Sequence, residues 1–171
     1  MTAVANDIFT ASQYNTYVKN NLLETEVAKA TTAGGYFVTT AANTIAERQI
    51  ASDSITTSQG TSSASYANLA TTGPTVTVTT GIRAMVWMTA EGSMSSNGIG
   101  ACTVTVSGAT TIAAADTNCM RWINLDTGDG FVASTCFRLV LTAGSNTFTM
   151  QYKTSAGTLT AQRRELLVMP F

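Results

Sequence analysis

Phe131, Ala133, Thr135, Phe137, Leu139 and Leu141 occupy every second position of one run, and Phe148, Met150 and Tyr152 do the same after a loop over residues 142–146. Strict period-two alternation puts the apolar set on one face of a pleated strand and rules out a helix, whose buried positions recur with a period of 3.6. These two runs are expected to pair as a hairpin. The pattern recurs elsewhere. Val76 and Val78 alternate with threonines over residues 75–79, and Cys102, Val104 and Val106 alternate with Thr103 and Thr105. Residues 65–69 and 119–125 are further strand candidates, and residues 164–169 form a last strand that stops at Pro170. The run over residues 82–90 is apolar on both faces, as in a strand at the centre of a sheet or one lying between the core and a neighbouring subunit. Turn signals at Gly73-Pro74, Ser107-Gly108, residues 126–130 and Gly157 separate about seven or eight strands. The expected fold is mainly β, an antiparallel β-sandwich of jelly-roll type.

The first thirty positions are different. Thr10 and Gln13 stand at capping-box spacing, with Phe9 and Tyr14 at the hydrophobic-staple positions. Tyr14, Val18 and Leu22 then recur every four residues with Tyr17 beside them, a narrow apolar stripe on an amphipathic helix that fades near residues 27–29. A lone helix of about 15 residues is marginal in water, so its stripe needs another surface. The expected organisation is an extended arm and short helix over residues 1–30, a connector with a short strand over residues 31–59, and a sandwich head over residues 60–171. Ile8, Phe9, Tyr14, Tyr17, Val18, Leu22 and Leu23 are the candidate docking or trimer-interface residues.

Only 11% of the 171 residues are charged and the net charge is -1, which gives no electrostatic case for nucleic acid or an anionic membrane. Threonine fills roughly a fifth of the positions, in keeping with a pleated, hydroxyl-rich exterior. Such an exterior does little to keep copies apart by like-charge repulsion, and fixed assembly is the natural remedy. Histidine is absent, which removes the commonest general base and metal ligand and every Ser-His or Cys-His nucleophile. No catalytic residue and no cofactor is expected. Cys102, Cys119 and Cys136 lack a C-x-x-C pair and sit among apolar or β-branched neighbours, so they read as buried thiols from a reducing site of synthesis. The chain opens without a basic, apolar leader and contains no window of transmembrane length, so a soluble protein made in the cytoplasm is expected.

Few residues invite a chemical reading. Asp126-Thr127-Gly128 spells the aspartic-protease tripeptide, but that chemistry needs two carboxylates sharing a proton, and a hairpin turn accounts for the same residues. Asp126 and Asp129 offer two carboxylates to a Ca²⁺ ion at a spacing unlike that of an EF-hand loop. Trp87, Trp122 and Tyr152 could stack on a sugar or a base, although strand positions make core or interface packing the simpler role. Trp87, Trp122, Arg163 and Arg164 are therefore candidate outer-face or interface residues. Glu47-Arg48 reads as a solvated or intersubunit ion pair.

Residues 9–24 (Phe-Thr-Ala-Ser-Gln-Tyr-Asn-Thr-Tyr-Val-Lys-Asn-Asn-Leu-Leu-Glu), residues 28–34 (Ala-Lys-Ala-Thr-Thr-Ala-Gly) and residues 42–48 (Ala-Asn-Thr-Ile-Ala-Glu-Arg) resemble the opening of virion proteins of tailed bacteriophages, especially those infecting actinobacteria. Residues 143–148 and 165–170 are similar to the C-terminal domain of the same family, whose members are labelled minor tail, tail-fibre or head-fibre proteins. Lys19 and Asn20 stand where Arg and Asp are common there, and residues 25–27 replace a frequent Ala-Pro. The resemblance implies a structural role without chemistry and self-assembly, often as homotrimers. The N-terminal segment would dock on other virion proteins and the sandwich would be displayed on the head or tail surface. A carbohydrate-binding module recognising host cell-wall glycans is the alternative.

Overall fold

The structure is a computed structural model that describes residues 8, 10–23, 29–123 and 129–171. The chain divides into two compact units, Met1–Gln49 and Ile50–Phe171. In the first, helix α1 (Ala11–Tyr14) and helix α2 (Asn20–Leu23) flank a π-helical stretch over Asn15–Lys19. The capping box forms in both directions: Gln13 N donates to Thr10 Oγ1 at 3.2 Å and Thr10 N donates to Gln13 Oε1 at 2.9 Å. Those bonds satisfy amides that the first helical turn leaves without partners. Phe9 and the expected helix end beyond Leu23 lie outside the described residues. The short strand foreseen at Tyr36 is β1 (Tyr36–Ala41), and it pairs with β2 (Thr44–Arg48) across a tight turn in which Asn43 takes φ 58°. Asparagine tolerates that left-handed conformation better than most residues.

The second unit contains β3 (Ala51–Ile55), β4 (Gln59–Thr61), β5 (Thr75–Thr80), β6 (Arg83–Met94), β7 (Ile99–Gly108), β8 (Met120–Ile123), β9 (Gly130–Val140), β10 (Gly144–Thr154) and β11 (Leu159–Pro170). Two antiparallel sheets form, one in the order β5-β10-β7-β8 and the other in the order β3-β11-β6-β9, with β4 added to β11. With the short β4 set aside, the first strand pairs with the eighth, the second with the seventh, the third with the sixth and the fourth with the fifth. This nested pairing of eight strands across two sheets is a jelly roll.

Alternation supplies the core between the sheets. Val86, Met88, Leu166 and Val168 face inward from one sheet, and Val104, Phe148, Met150 and Tyr152 from the other, all fully or nearly fully buried. Trp122 lies among them at 0% exposure, its Nε1 donating to the Phe131 carbonyl at 3.1 Å. Gly92 makes room for that ring, because a Cβ there would fall on the indole.

Three expectations change. The runs at residues 131–141 and 147–153 do not form a hairpin: β9 pairs with β6 in one sheet, while β10 lies between β5 and β7 in the other. Both runs bury one face in the same core, except that Phe131, expected inward, is exposed at the start of β9; alternation specifies the inward face without naming the neighbour. Residues 65–69 form no strand and contribute only an isolated bridge between Ala67 and Tyr152. The segment expected as a connector supplies β3 and β4, which cover the edge of β11.

The last strand also starts earlier than its pattern suggests. In β11 the inward residues are Leu159 and Ala161 and then Arg164, Leu166 and Val168, a change of parity produced by a bulge between Gln162 and Glu165 where Arg163 takes φ 48°. The bulge turns Arg164 into the sandwich, at 0% exposure. There its guanidinium donates to the Gly73 carbonyl (3.1 Å), Gln59 Oε1 (3.1 Å) and the Thr57 carbonyl (3.4 Å), and lies 5.7 Å from the centre of the Tyr152 ring.

Candidate functional site

The outer faces of the two sheets differ in chemistry. On the β5-β10-β7-β8 sheet the exterior carries hydroxyls: Thr77 and Thr147 hydrogen-bond across strands at 2.8 Å, and Thr75 and Thr149 at 3.4 Å. Cross-strand threonine pairs of this kind stabilise a sheet while leaving it polar. A groove of about 610 Å³ runs over part of this face, bounded by Ser65, Tyr66, Ala114 and Asp116 and by Thr105, Gln151 and Lys153 from the strands. A second hollow of about 320 Å³ shares Ala64, Asp116 and Lys153 with it and adds Arg121.

A compact polar cluster stands where the two hollows meet. Asp116 opens a single 3₁₀ turn between β7 and β8, which aims its carboxylate back at the sheet. Tyr66 Oη donates to Asp116 Oδ1 at 2.7 Å, and Lys153 Nζ lies 2.7 Å from Oδ1 and 2.9 Å from Oδ2. Lys153 also sits over the Tyr66 ring at 4.6 Å. Arg121 donates from Nε to Cys119 Sγ at 3.1 Å, and its terminal nitrogen comes within 3.8 Å of Asp116. The hydrogen bonds from Lys153, then from Tyr66, hold the Asp116 carboxyl below the usual carboxylate range. Burial, then the bond to Asp116, push the Tyr66 phenol well above its ordinary value. At neutral pH the cluster is an ionised carboxylate that accepts from the Lys153 ammonium and the protonated Tyr66 phenol, with the Arg121 guanidinium beside it. Such an arrangement is built to hold shape and charge in place.

The outside of the β3-β11-β6-β9 sheet carries an apolar patch beside polar positions such as Glu91, Ser134 and Gln162. Trp87, Leu167, Met169 and Ile50 line a shallow hollow of about 390 Å³ there, with Thr89 and Glu165 at its edge. Trp87 is 38% exposed, and Val132, Val140 and Cys136 of the edge strand β9 are exposed on the same face.

The residues singled out from sequence therefore separate. Trp87 lies on an outer face, whereas Trp122 and Arg164 are core residues and are withdrawn from that set. Tyr152 is likewise buried and offers no platform. Arg163 is exposed and pairs with Glu91 at 3.1 Å. Ile8, Tyr14, Tyr17 and Leu22 are exposed, and Val18 is half-buried; Leu23 belongs to α2, and Phe9 lies outside the described residues. Asp126 lies outside them too, Asp129 is exposed, and no group of three or more potential metal ligands occurs among the described residues. Of the three cysteines only Cys102 is buried, Cys119 being half-buried and Cys136 exposed. Alternation explains the last case, since Cys136 falls on the outward parity of β9. Glu47 does not pair with Arg48; its carboxylate accepts from Thr31 N, Thr31 Oγ1 and Thr32 N, while Arg48 Nη1 donates to the Glu47 carbonyl. No helix is long and apolar enough to cross a membrane among the described residues.

Tyr66, Asp116, Arg121 and Lys153 were not foreseen as a group. Their one signal is scarcity: in a chain only 11% charged, an isolated Asp after three alanines and single cations on outward strand positions stand out.

Fold and surface together define a jelly-roll domain with one polar, grooved face and an apolar patch on the other. No family model matches the chain, and no curated protein matches it. Among solved structures, one of infectious bursal disease virus, Gx strain, is similar over 74% of this chain and 35% of its own, at 13% identity and a TM-score of 0.46. An exo-β-1,3-galactanase from Phanerochaete chrysosporium with galactose is similar over 75% of this chain and 31% of its own, at 18% identity and a TM-score of 0.32. This chain thus spans about a third of the length of each. At such scores neither likeness assigns a function.

Proposed function

We propose that this chain is a non-enzymatic structural protein of a phage particle. Its N-terminal segment docks on other virion proteins and its jelly roll is displayed outward as a homotrimer, on the tail in host attachment or on the head as a fibre or decoration. The carrying observation is the apolar patch on the outside of the β3-β11-β6-β9 sheet, where Trp87, Leu167, Met169 and Ile50 gather at one exposed hollow. Further copies of this chain are the fitting cover. A net charge of -1 offers little repulsion between them, and a closed three-fold ring buries the same face on every copy. The phage assignment rests on the sequence resemblance over residues 9–48, and the exposed Tyr14, Tyr17 and Leu22 supply the docking stripe.

Light scattering on the purified chain tests the assembly. A trimer mass is expected at micromolar concentration, and Leu167→Lys should reduce it to a monomer with an unchanged β spectrum. A monomeric parent protein would end the reading. Docking is tested separately: Val18→Asp with Leu22→Asp should leave the sandwich folded but absent from purified particles. Normal incorporation would move docking to the jelly roll.

The alternative, a module that binds host cell-wall glycans, is favoured by one feature, the polar groove on the opposite sheet.

A further inference from the structure

We propose that the groove over the β5-β10-β7-β8 sheet is a binding site for an anionic glycan, a sugar chain carrying a carboxylate or phosphate substituent. The two hollows, about 610 and 320 Å³, share Ala64, Asp116 and Lys153, so an elongated ligand can run from one into the other across the charged cluster. The walls suit a sugar. Small alanines, Ala64 and residues 113–115, keep the groove open; the Ser65 hydroxyl and the Gln151 amide can meet sugar hydroxyls, the amide through its oxygen and the hydrogen not given to Asn68, while Thr105, which donates to the Thr149 carbonyl, can accept.

The charge at the crossing selects the substituent. Lys153 and Arg121 face a single carboxylate, Asp116, which leaves one positive charge in excess. Arg121 is fixed through Nε on Cys119, and its terminal nitrogen stands 3.8 Å from Asp116, beyond hydrogen-bonding distance. Its terminal N–H groups make no hydrogen bond among the described residues, and the guanidinium fork matches a carboxylate or phosphate edge. Asp116 acts as a positioning residue: by gathering Tyr66, Lys153 and Arg121 it sets the cations at the junction of the two hollows.

A nucleic acid fits less well. Its phosphates repeat at every nucleotide, whereas the groove offers two cations, and the chain as a whole is slightly negative. The groove's one aromatic ring, Tyr66, already carries Lys153 on a face that a base would stack on. A glycan with sparse charge satisfies both limits.

The site and the apolar patch lie on opposite sheets, so this inference stands apart from the assembly reading. Loss of glycan binding with an intact trimer, or a monomer that still binds, tells the two failures apart.

Calorimetric titration of the full chain at low salt tests the site with sialyllactose, which carries one carboxylate on three sugars, and with mannose 6-phosphate, maltotetraose, inorganic phosphate and a single-stranded oligonucleotide. One of the two anionic sugars should bind, which also identifies the carboxylate or phosphate source. Arg121→Ala and Lys153→Met should each weaken it about tenfold or more, and added salt should weaken it further. Arg121→Gln, exposed and neutral, gives the same readout should Lys153→Met disturb the fold. The proposal is overturned if neither anionic sugar binds at millimolar concentration, or if binding survives all three substitutions. It is equally overturned if maltotetraose or phosphate alone binds as well, or if the oligonucleotide binds more tightly.

Discussion

The side-chain amide of Asn146 donates to Thr80 Oγ1 at 2.8 Å, with both residues closed off from solvent. The same amide donates to the Thr142 and Gly144 carbonyls at 3.1 and 3.3 Å, and Asn146 Oδ1 accepts from Thr110 N at 2.7 Å. One buried side chain thus latches the end of β5, the segment after β7 and the crossover from β9 to β10. Asn146→Ala leaves several of those groups without partners and should cost about 2–4 kcal/mol, read as a lower urea midpoint at unchanged slope. Thr77→Ala, on the exposed hydroxyl ladder, should stay within about 0.5 kcal/mol. Equal losses in the two variants would show that Asn146 is no latch.

Gly92 and Trp122 make a second pair across the core. Because a Cβ at position 92 would overlap the indole, Gly92→Ala forces the ring or the strand to move. The expected cost is about 1–3 kcal/mol, with a changed near-ultraviolet signal from Trp122. An unaltered spectrum and midpoint would mean that the ring has room to spare.

Acid should weaken both units. Hydrogen bonds from Lys153 and Tyr66 lower the Asp116 pKa, and bonds from Thr31 lower that of Glu47. A carboxyl lowered in the folded state contributes stability that is fully present above its unfolded pKa of about 4 and is lost as pH falls through the folded value. Melting temperature should therefore be level above about pH 5 and fall below about pH 4. Both groups are exposed and the effect is small, so the comparison that decides is with Asp116→Asn plus Glu47→Gln. A double variant with an equally steep acid limb would assign the loss to other carboxyls.

The three thiols should react in a fixed order. Cys136 is exposed and stands opposite Trp87 across the β6–β9 pairing, Cys119 is half-buried, and Cys102 is enclosed, with burial raising its pKa. An aromatic disulfide reagent should modify Cys136 first and reach Cys102 only on unfolding, as followed by intact-protein mass. If copies cover the apolar patch, labelling of Cys136 should slow as protein concentration rises. A rate independent of concentration would place the contact elsewhere.

The helix start, the strand character of residues 75–79, 82–90, 131–141 and 147–153, and the inward sets of β7, β10 and, Phe131 apart, β9 were all legible locally. A capping box is written in residues three apart, and the buried face of a strand in residues two apart. Trp122 and Arg164 were placed wrongly because their surroundings come from distant chain. Trp122 is enclosed beside Gly92, and Arg164 turns inward only because the bulge at Arg163 changes the parity of β11. The groove cluster was invisible for the same reason, since Tyr66, Asp116 and Lys153 come from three separate segments.

By itself the sequence determined that most of the chain would be strands, which face of many of them would be buried, and that the exterior would be low in charge. Each follows from a residue's own chemistry and that of its near neighbours. Only the tertiary structure decided which strands are neighbours, placing Ile55 beside Arg164 and sending β9 and β10 to opposite sheets. Alternating strands gain similar burial beside many partners, so their order is set by the one closure in which every edge, bulge and buried polar group is satisfied together.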